Sequence, residues 1–250
     1  MIECLIKDVH IGKGKPKVCL PVIGTDENEI INQIQAFEGL DFDLIELRID
    51  FYKNIKDNQK IIDLLHKVRL NTNKPLLLTY RSLKEGGKIQ LSDEEYLKLI
   101  EAVSQSHCID IVDIELMSGN TLVYQLVEMA HQNDIKVIMS NHDFQATPSV
   151  RDMMGRLEKM ELLGADICKL AVMPQTYKDV IALLNVTIEM SHKLHIPLVT
   201  MSMGQLGVIS RMTGELTGSA ITFASAGKPS APGQMGVKDL QMILEAVHYD

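Results

Sequence analysis

Asp166-Ile167-Cys168-Lys169-Leu170-Ala171-Val172 sets one lysine inside a run that otherwise reads as a buried strand. Apolar side chains fall on both parities: Cys168, Leu170 and Val172 on one, Ile167 and Ala171 with Lys169 on the other. A strand covered on both faces belongs to a parallel sheet flanked by helices. The flanks agree, with helical periodicity over Ser149–Leu163 upstream and Thr176–Leu194 downstream. The pattern repeats along the chain. Strand-like runs are Val18–Ile23, Leu44–Ile49, Leu76–Arg81, Ile109–Leu116, Val137–His142, Asp166–Ala171, Leu198–Ser202 and Ala220–Ala224. Between them lie segments opened by Asp26, by Asp57 and by the capping box Ser92-Asp93-Glu94-Glu95, then Ser118–Asn133, a short Gln205–Thr213 and the closing Val237–Val247. Eight such units in 250 residues predict an α/β chain folded as one (β/α)8 TIM barrel over 1–250. A doubly wound sheet is the alternative, but Pro21-Val22-Ile23-Gly24-Thr25-Asp26 lacks its phosphate-binding glycine fingerprint. Ahead of the repeat, a short β-hairpin is expected, with Glu3–Ile6 turning through Gly12-Lys13-Gly14-Lys15.

Bulk chemistry narrows the partners. Net charge is −8, so a basic face for nucleic acid is not expected. Local arginines can still attract a small anion. No apolar run approaches the ~20 residues of a membrane span. Met1-Ile2-Glu3 lacks the basic and apolar regions of a secretion signal, so none is expected. Cys4, Cys19, Cys108 and Cys168 form no C-x-x-C pair. Reduced, buried thiols in a cytoplasmic protein are the expectation.

Strand parity then selects side chains for the barrel interior. In Leu44–Asp50, Ile45, Leu47 and Ile49 should face the helices, leaving Glu46 and Arg48 inward. Thr79 and Arg81, Ser140 and His142, and Lys169 follow the same logic near the C-terminal strand ends, where barrel enzymes build their sites. Asp113 and Glu115 fall deeper and read as a structural ion-pair network. An inward Lys169, desolvated and near cations, should present a free amine to a ketone. His142 lies one strand away and could shuttle protons. Glu85, just past Arg81, could orient and charge that imidazole. Glycines in Met201-Ser202-Met203-Gly204-Gln205-Leu206-Gly207 deliver Arg211 near the mouth, as a bidentate carboxylate clamp. Ala226–Gln234 reads as a mobile lid carrying Ser230 and Gln234. His192 and His195 sit three apart, but they read as a solvated helix end rather than a metal site.

Taken together, Glu46-Leu47-Arg48, Thr79-Tyr80-Arg81 with Glu85-Gly86-Gly87, Asp113-Ile114-Glu115-Leu116, Ser140-Asn141-His142-Asp143-Phe144, Lys169, Met201-Ser202-Met203-Gly204 with Ser210-Arg211, and Pro229-Ser230-Ala231-Pro232-Gly233-Gln234 resemble the type I 3-dehydroquinate dehydratases over essentially the whole chain. The resemblance implies a shikimate-pathway enzyme that turns 3-dehydroquinate into 3-dehydroshikimate. It implies that Lys169 forms an imine with the substrate ketone, that His142 moves protons and that Glu85 supports it. Arg211 would hold the substrate carboxylate. Glu46, Arg48, Arg81, Ser230 and Gln234 would bind hydroxyls, with Met203 and Phe144 or Phe223 as apolar walls. No metal or organic cofactor is implied, and the family often forms homodimers. A class I aldolase sharing the imine, or a non-catalytic ligand-binding barrel, are the competing readings.

Overall fold

The computed structural model describes residues 2–227 and 230–249. A hairpin of β1 (Cys4–Ile6) and β2 (Val9–Ile11) precedes an alternating series. The series runs β3 (Lys17–Val22), α1 (Glu27–Gln35), β4 (Leu44–Arg48), α2 (Asn58–Asn71), β5 (Leu76–Thr79), α3 (Asp93–Gln105) and β6 (Ile111–Glu115). It continues with α4 (Asn120–His131), β7 (Lys136–Asp143), α5 (Val150–Leu162), β8 (Ile167–Val172), α6 (Tyr177–Lys193) and β9 (Leu198–Ser202). Short α7 (Ile209–Met212) and α8 (Gly214–Thr217), β10 (Ile221–Phe223) and α9 (Val237–Ala246) complete it. Strands β3 to β10 form one parallel sheet in the order β10-β3-β4-β5-β6-β7-β8-β9. A bridge between Leu198 and Ser219 joins its ends, and Ala220 N donates to Leu198 O at 2.8 Å. The barrel is nearly closed, as the repeat predicts.

The two parities of each strand feed two apolar cores. Outward residues such as Leu47, Leu78, Val112, Met139 and Leu170 meet Ile61, Leu65, Leu99, Leu126 and Leu157 of the helices. Inward residues Cys19, Leu44, Leu77, Ile111, Ile138, Ile167, Val199 and Ile221 fill the lower barrel, and Cys4, Ile6 and Ile11 of the hairpin close it from beneath. Each fully buried large aliphatic side chain contributes about 1.5–3 kcal/mol. Helix starts follow their expected caps: Asp26 accepts from Glu29 N, Asp57 from Lys60 N, and Ser92 with Glu95 completes the capping box. All four cysteines are buried thiols. Among the described residues no helix is long and apolar enough to cross a membrane.

Two local expectations are corrected. The hairpin turns at Lys7-Asp8, with Ile6 opposite Val9 and Lys7 at φ 53°, and Gly12–Lys15 instead links the hairpin to the barrel. The tight turn lets Cys4, Ile6 and Ile11 all cover the barrel floor. The helix expected at Gln205–Thr213 is confined to Ile209–Met212, ending where Thr213 leaves helical geometry at φ −104°, ψ 18°, and a second short helix follows at Gly214–Thr217.

Candidate active site

Toward the C-terminal strand ends, the inward positions turn polar. Lys169 is 3% exposed and points into the barrel. Its Nζ lies 3.2 Å from Asp113 Oδ2 and 3.5 Å from Glu46 Oε1, with the Phe223 ring centroid 4.4 Å away on the apolar side. The cations expected to crowd this amine are therefore carboxylates. Asp113, read from sequence as part of a structural network, touches the amine itself. It also anchors Arg81, whose Nη2 donates to Asp113 at 2.7 Å while Nη1 donates to Glu115 at 3.0 Å and to Ser140 at 2.8 Å. Arg81 is held by protein carboxylates, although one face of it reaches the cavity.

Glu85 and His142 form a pair. Glu85 sits on a 3₁₀ turn ended by Gly86 at φ 86°, where a Cβ would lie 2.6 Å from the Phe144 ring. That turn aims the carboxylate at β7. It accepts from Asn141 Nδ2 at 3.0 Å and His142 N at 2.9 Å, and its Oε2 lies 3.0 Å from His142 Nδ1. Burial and the nearby Glu115 push the Glu85 carboxyl up to about 8, against the pull of Arg81 and of the Asn141 and His142 N–H groups. Burial lowers His142 well below the ordinary imidazole range, and Arg81, Lys169 and Arg48 act in the same direction. The surroundings thus favour a neutral imidazole, not the charged one expected beside Glu85.

These groups line a cavity of about 240 Å³ with Glu46, Arg48, Phe144, Met201, Met203, Phe223, Ser230 and Gln234. Arg48 is fixed by a two-pronged bond to Asp50, at 2.8 and 2.9 Å. Ser230 and Gln234 bond each other, Ser230 N donating to Gln234 Oε1 at 2.8 Å and Gln234 Nε2 to Ser230 Oγ at 3.0 Å. Gly233, at φ 77°, presses so closely on Gly204 that a Cβ would sit 2.4 Å from its carbonyl oxygen. The lid is docked on the β9 loop there. Lys228 and Pro229 of the expected lid lie outside the described residues.

Arg211 departs from expectation. It is 2% exposed and lies behind the wall rather than in it. Its Nη2 donates to Pro232 O at 3.0 Å, and its Nη1 lies 3.9 Å from Met201 Sδ. Among the described residues its Nε has no hydrogen-bond partner and no carboxylate pairs with it. Burial lowers its pKa to about 10. Neither the groove beside Asp26 and Lys53 nor the one beside His192 and Tyr249 is lined by Lys169, His142 or Glu85.

The model of the type I 3-dehydroquinases matches residues 18–250. The chain belongs to the type I 3-dehydroquinase family. A 3-dehydroquinate dehydratase of Listeria welshimeri is 43% identical over 249 residues, covering 99% of each protein. One from Clostridium botulinum is 44% identical over 245 residues, covering 97% of this chain and 96% of the relative. The crystal structure of type I 3-dehydroquinate dehydratase from Clostridium difficile, with covalently modified comenic acid, superposes at TM-score 0.96 with 40% identity and 98% coverage of both chains. Type I 3-dehydroquinases are hydro-lyases, which removes the aldolase and the non-catalytic barrel as readings of this chain.

Within this dehydroquinase, the structure gathers Lys169, His142, Glu85, Glu46, Arg48, Arg81, Met203, Ser230 and Gln234 at one cavity. It leaves Arg211 just behind it. Sequence reading missed Asp113 as a contact of the lysine, Asn141 as an anchor of Glu85 and Asp50 as the clamp on Arg48. For Asp50 a signal existed, because it shares the parity of Arg48 two residues away.

Proposed function

We propose that this chain dehydrates 3-dehydroquinate to 3-dehydroshikimate through an imine at Lys169, with His142 as general acid and base. The observation that carries the reading is the buried Lys169 amine facing one cavity with the His142–Glu85 pair. The Lys169 ammonium passes one proton to His142, and the freed amine attacks the substrate ketone. A C–N bond forms, and the carbonyl oxygen leaves as water, taking that proton and one from the nitrogen. The resulting iminium draws electrons from the adjacent carbon and acidifies its C–H. With Glu85 accepting from Nδ1–H, Nε2 of the neutral imidazole is free to take that proton. It returns the proton to the β-hydroxyl, which departs as water and leaves a conjugated iminium. Hydrolysis consumes a water, releases the enone and restores the lysine ammonium.

Glu46, Arg48, Arg81, Ser230 and Gln234 supply polar contacts to the substrate hydroxyls, and Met203 an apolar wall. Arg211 takes the substrate carboxylate. An anion brought in among Glu46, Asp113 and Glu115 would be repelled, whereas Arg211 stands on the β9 side with an unpartnered donor. The covalently modified comenic acid of the Clostridium difficile relative supports a covalent route on this fold.

Borohydride added with 3-dehydroquinate should leave a reduced adduct on the Lys169 peptide. Folded, active protein with no mass increase there would sink the imine. Appearance of enone absorbance from 3-dehydroquinate tests the overall reaction. The family reading also makes the enzyme a cytoplasmic homodimer, and light scattering showing a monomer would remove the second part of that statement.

A further inference from the structure

Asp113 is fully enclosed, with 0% exposure, and it lies beneath the lysine rather than in the cavity wall. Both of its oxygens are committed. Oδ2 receives Arg81 Nη2 at 2.7 Å and faces Lys169 Nζ at 3.2 Å, and Oδ1 accepts from Ser140 Oγ at 2.5 Å. Burial alone would raise its carboxyl. Arg81, Lys169 and the Ser140 hydroxyl outweigh burial and hold it below the ordinary carboxylate range. A carboxylate so held is a fixed anion, not a base.

The geometry points to Asp113 as the counter-ion of the iminium at Lys169, with Ser140 locking the carboxylate through its other oxygen. This rests on the imine reading of Lys169. Ammonium plus ketone gives iminium plus water, so one positive charge stays on the same nitrogen before and after the C–N bond forms. The iminium keeps one N–H, and Asp113 Oδ2 is the nearest carboxylate oxygen for it. Asp113 receives no proton in this scheme; it keeps the imine in the protonated form that acts as the electron sink. The other charged or titratable groups around the nitrogen are Cys19 from β3, Glu46 and Arg48 from β4, Arg81 and Glu85 from the segment after β5, Glu115 from β6 and His142 from β7. Glu46, at 3.5 Å, faces the cavity and accepts from Thr79 Oγ1 at 2.9 Å, leaving it turned toward substrate. Asp113 is the anion that a bound substrate cannot displace.

The test is hydride trapping of the imine formed from 3-dehydroquinate, read by mass on the Lys169 peptide across pH, in wild type, Asp113→Asn and Ser140→Ala. Protonated imines are the species hydride reduces. Asparagine preserves the shape and one hydrogen-bond acceptor for Arg81 while removing the charge. In Asp113→Asn the alkaline fall in trapping should begin about 1–3 pH units lower than in wild type, the size a neighbouring opposite charge imposes. Ser140→Ala should move it the same way by less. An Asp113→Asn profile superimposable on wild type overturns the proposal. If Asp113→Asn does not fold, Ser140→Ala decides by the same criterion, a downward shift supporting the counter-ion and an unmoved profile overturning it. Wild type yielding no adduct at any pH would instead overturn the imine itself, so the two failures are separable.

Discussion

The same strands serve opposite purposes at the two ends of the barrel. At the floor, Leu44, Leu77, Ile111, Ile138 and Ile167 make an apolar layer sealed by the hairpin. Two residues further along each strand stand Glu46, Thr79, Asp113, Ser140 and Lys169, joined by hydrogen bonds and ion pairs. Two further still stand Arg48, Arg81, Glu115 and His142. A step of two residues is only about 6.6 Å of strand, so dry core and chemistry are separated by little more than one side-chain layer. The apolar floor excludes water from below. That lowers the screening of the charges above it and makes their pairing both strong and obligatory. The top also divides across the barrel, with ionic side chains on β4 to β8 and Met201, Met203 and Phe223 on β9 and β10.

Substitutions at one level should therefore move activity, and at the other stability. Lys169→Ala should abolish turnover and the borohydride adduct together, measured by enone absorbance and peptide mass. His142→Ala should slow turnover by roughly 10²–10⁴-fold; retention of full activity would show that another group moves the proton. Arg211→Ala should raise KM by about 10–100-fold with a smaller change in kcat, since a charge-assisted hydrogen bond contributes about 1.5–3 kcal/mol. An unchanged KM would move the carboxylate elsewhere. Leu77→Ala at the floor should cost about 2–5 kcal/mol in chemical denaturation and leave kcat of the folded protein unaltered. A drop in kcat there would erase the division between the levels. The mildest effect is the pH profile. Protonating His142 removes the base, so kcat/KM falls on the acid side. Because its surroundings lower it from the ordinary 6.5, that fall should come below pH 6.5. An acid limb above that value would contradict the neutral imidazole.

Much of this was legible before any coordinates. A period of two tells which side chains share the interior, and the repeated strand ends tell which of those reach the rim. That sufficed for Lys169, His142, Glu46, Arg48 and Arg81. It could not place Asp113 against Lys169, because β6 and β8 are not neighbours and their approach across the barrel depends on strand tilt. The hairpin turn was misread because Gly12 and Gly14 carry the stronger turn signal, while the real turn uses Lys7 and Asp8. Arg211 stands one layer further back than its sequence position suggests, since a residue on the short helix α7 has no strand parity to fix its direction.

Arg211 also changes how the free protein should be regarded. A guanidinium shut away behind Met201 and Pro232 has no acidic partner among the described residues, so its own charge is left without local compensation. On the carboxylate reading, the molecule that supplies the missing charge is the substrate. Arrival of cargo then completes the scaffold as well as loading it, and the folded state becomes sturdier while it is working than while it waits.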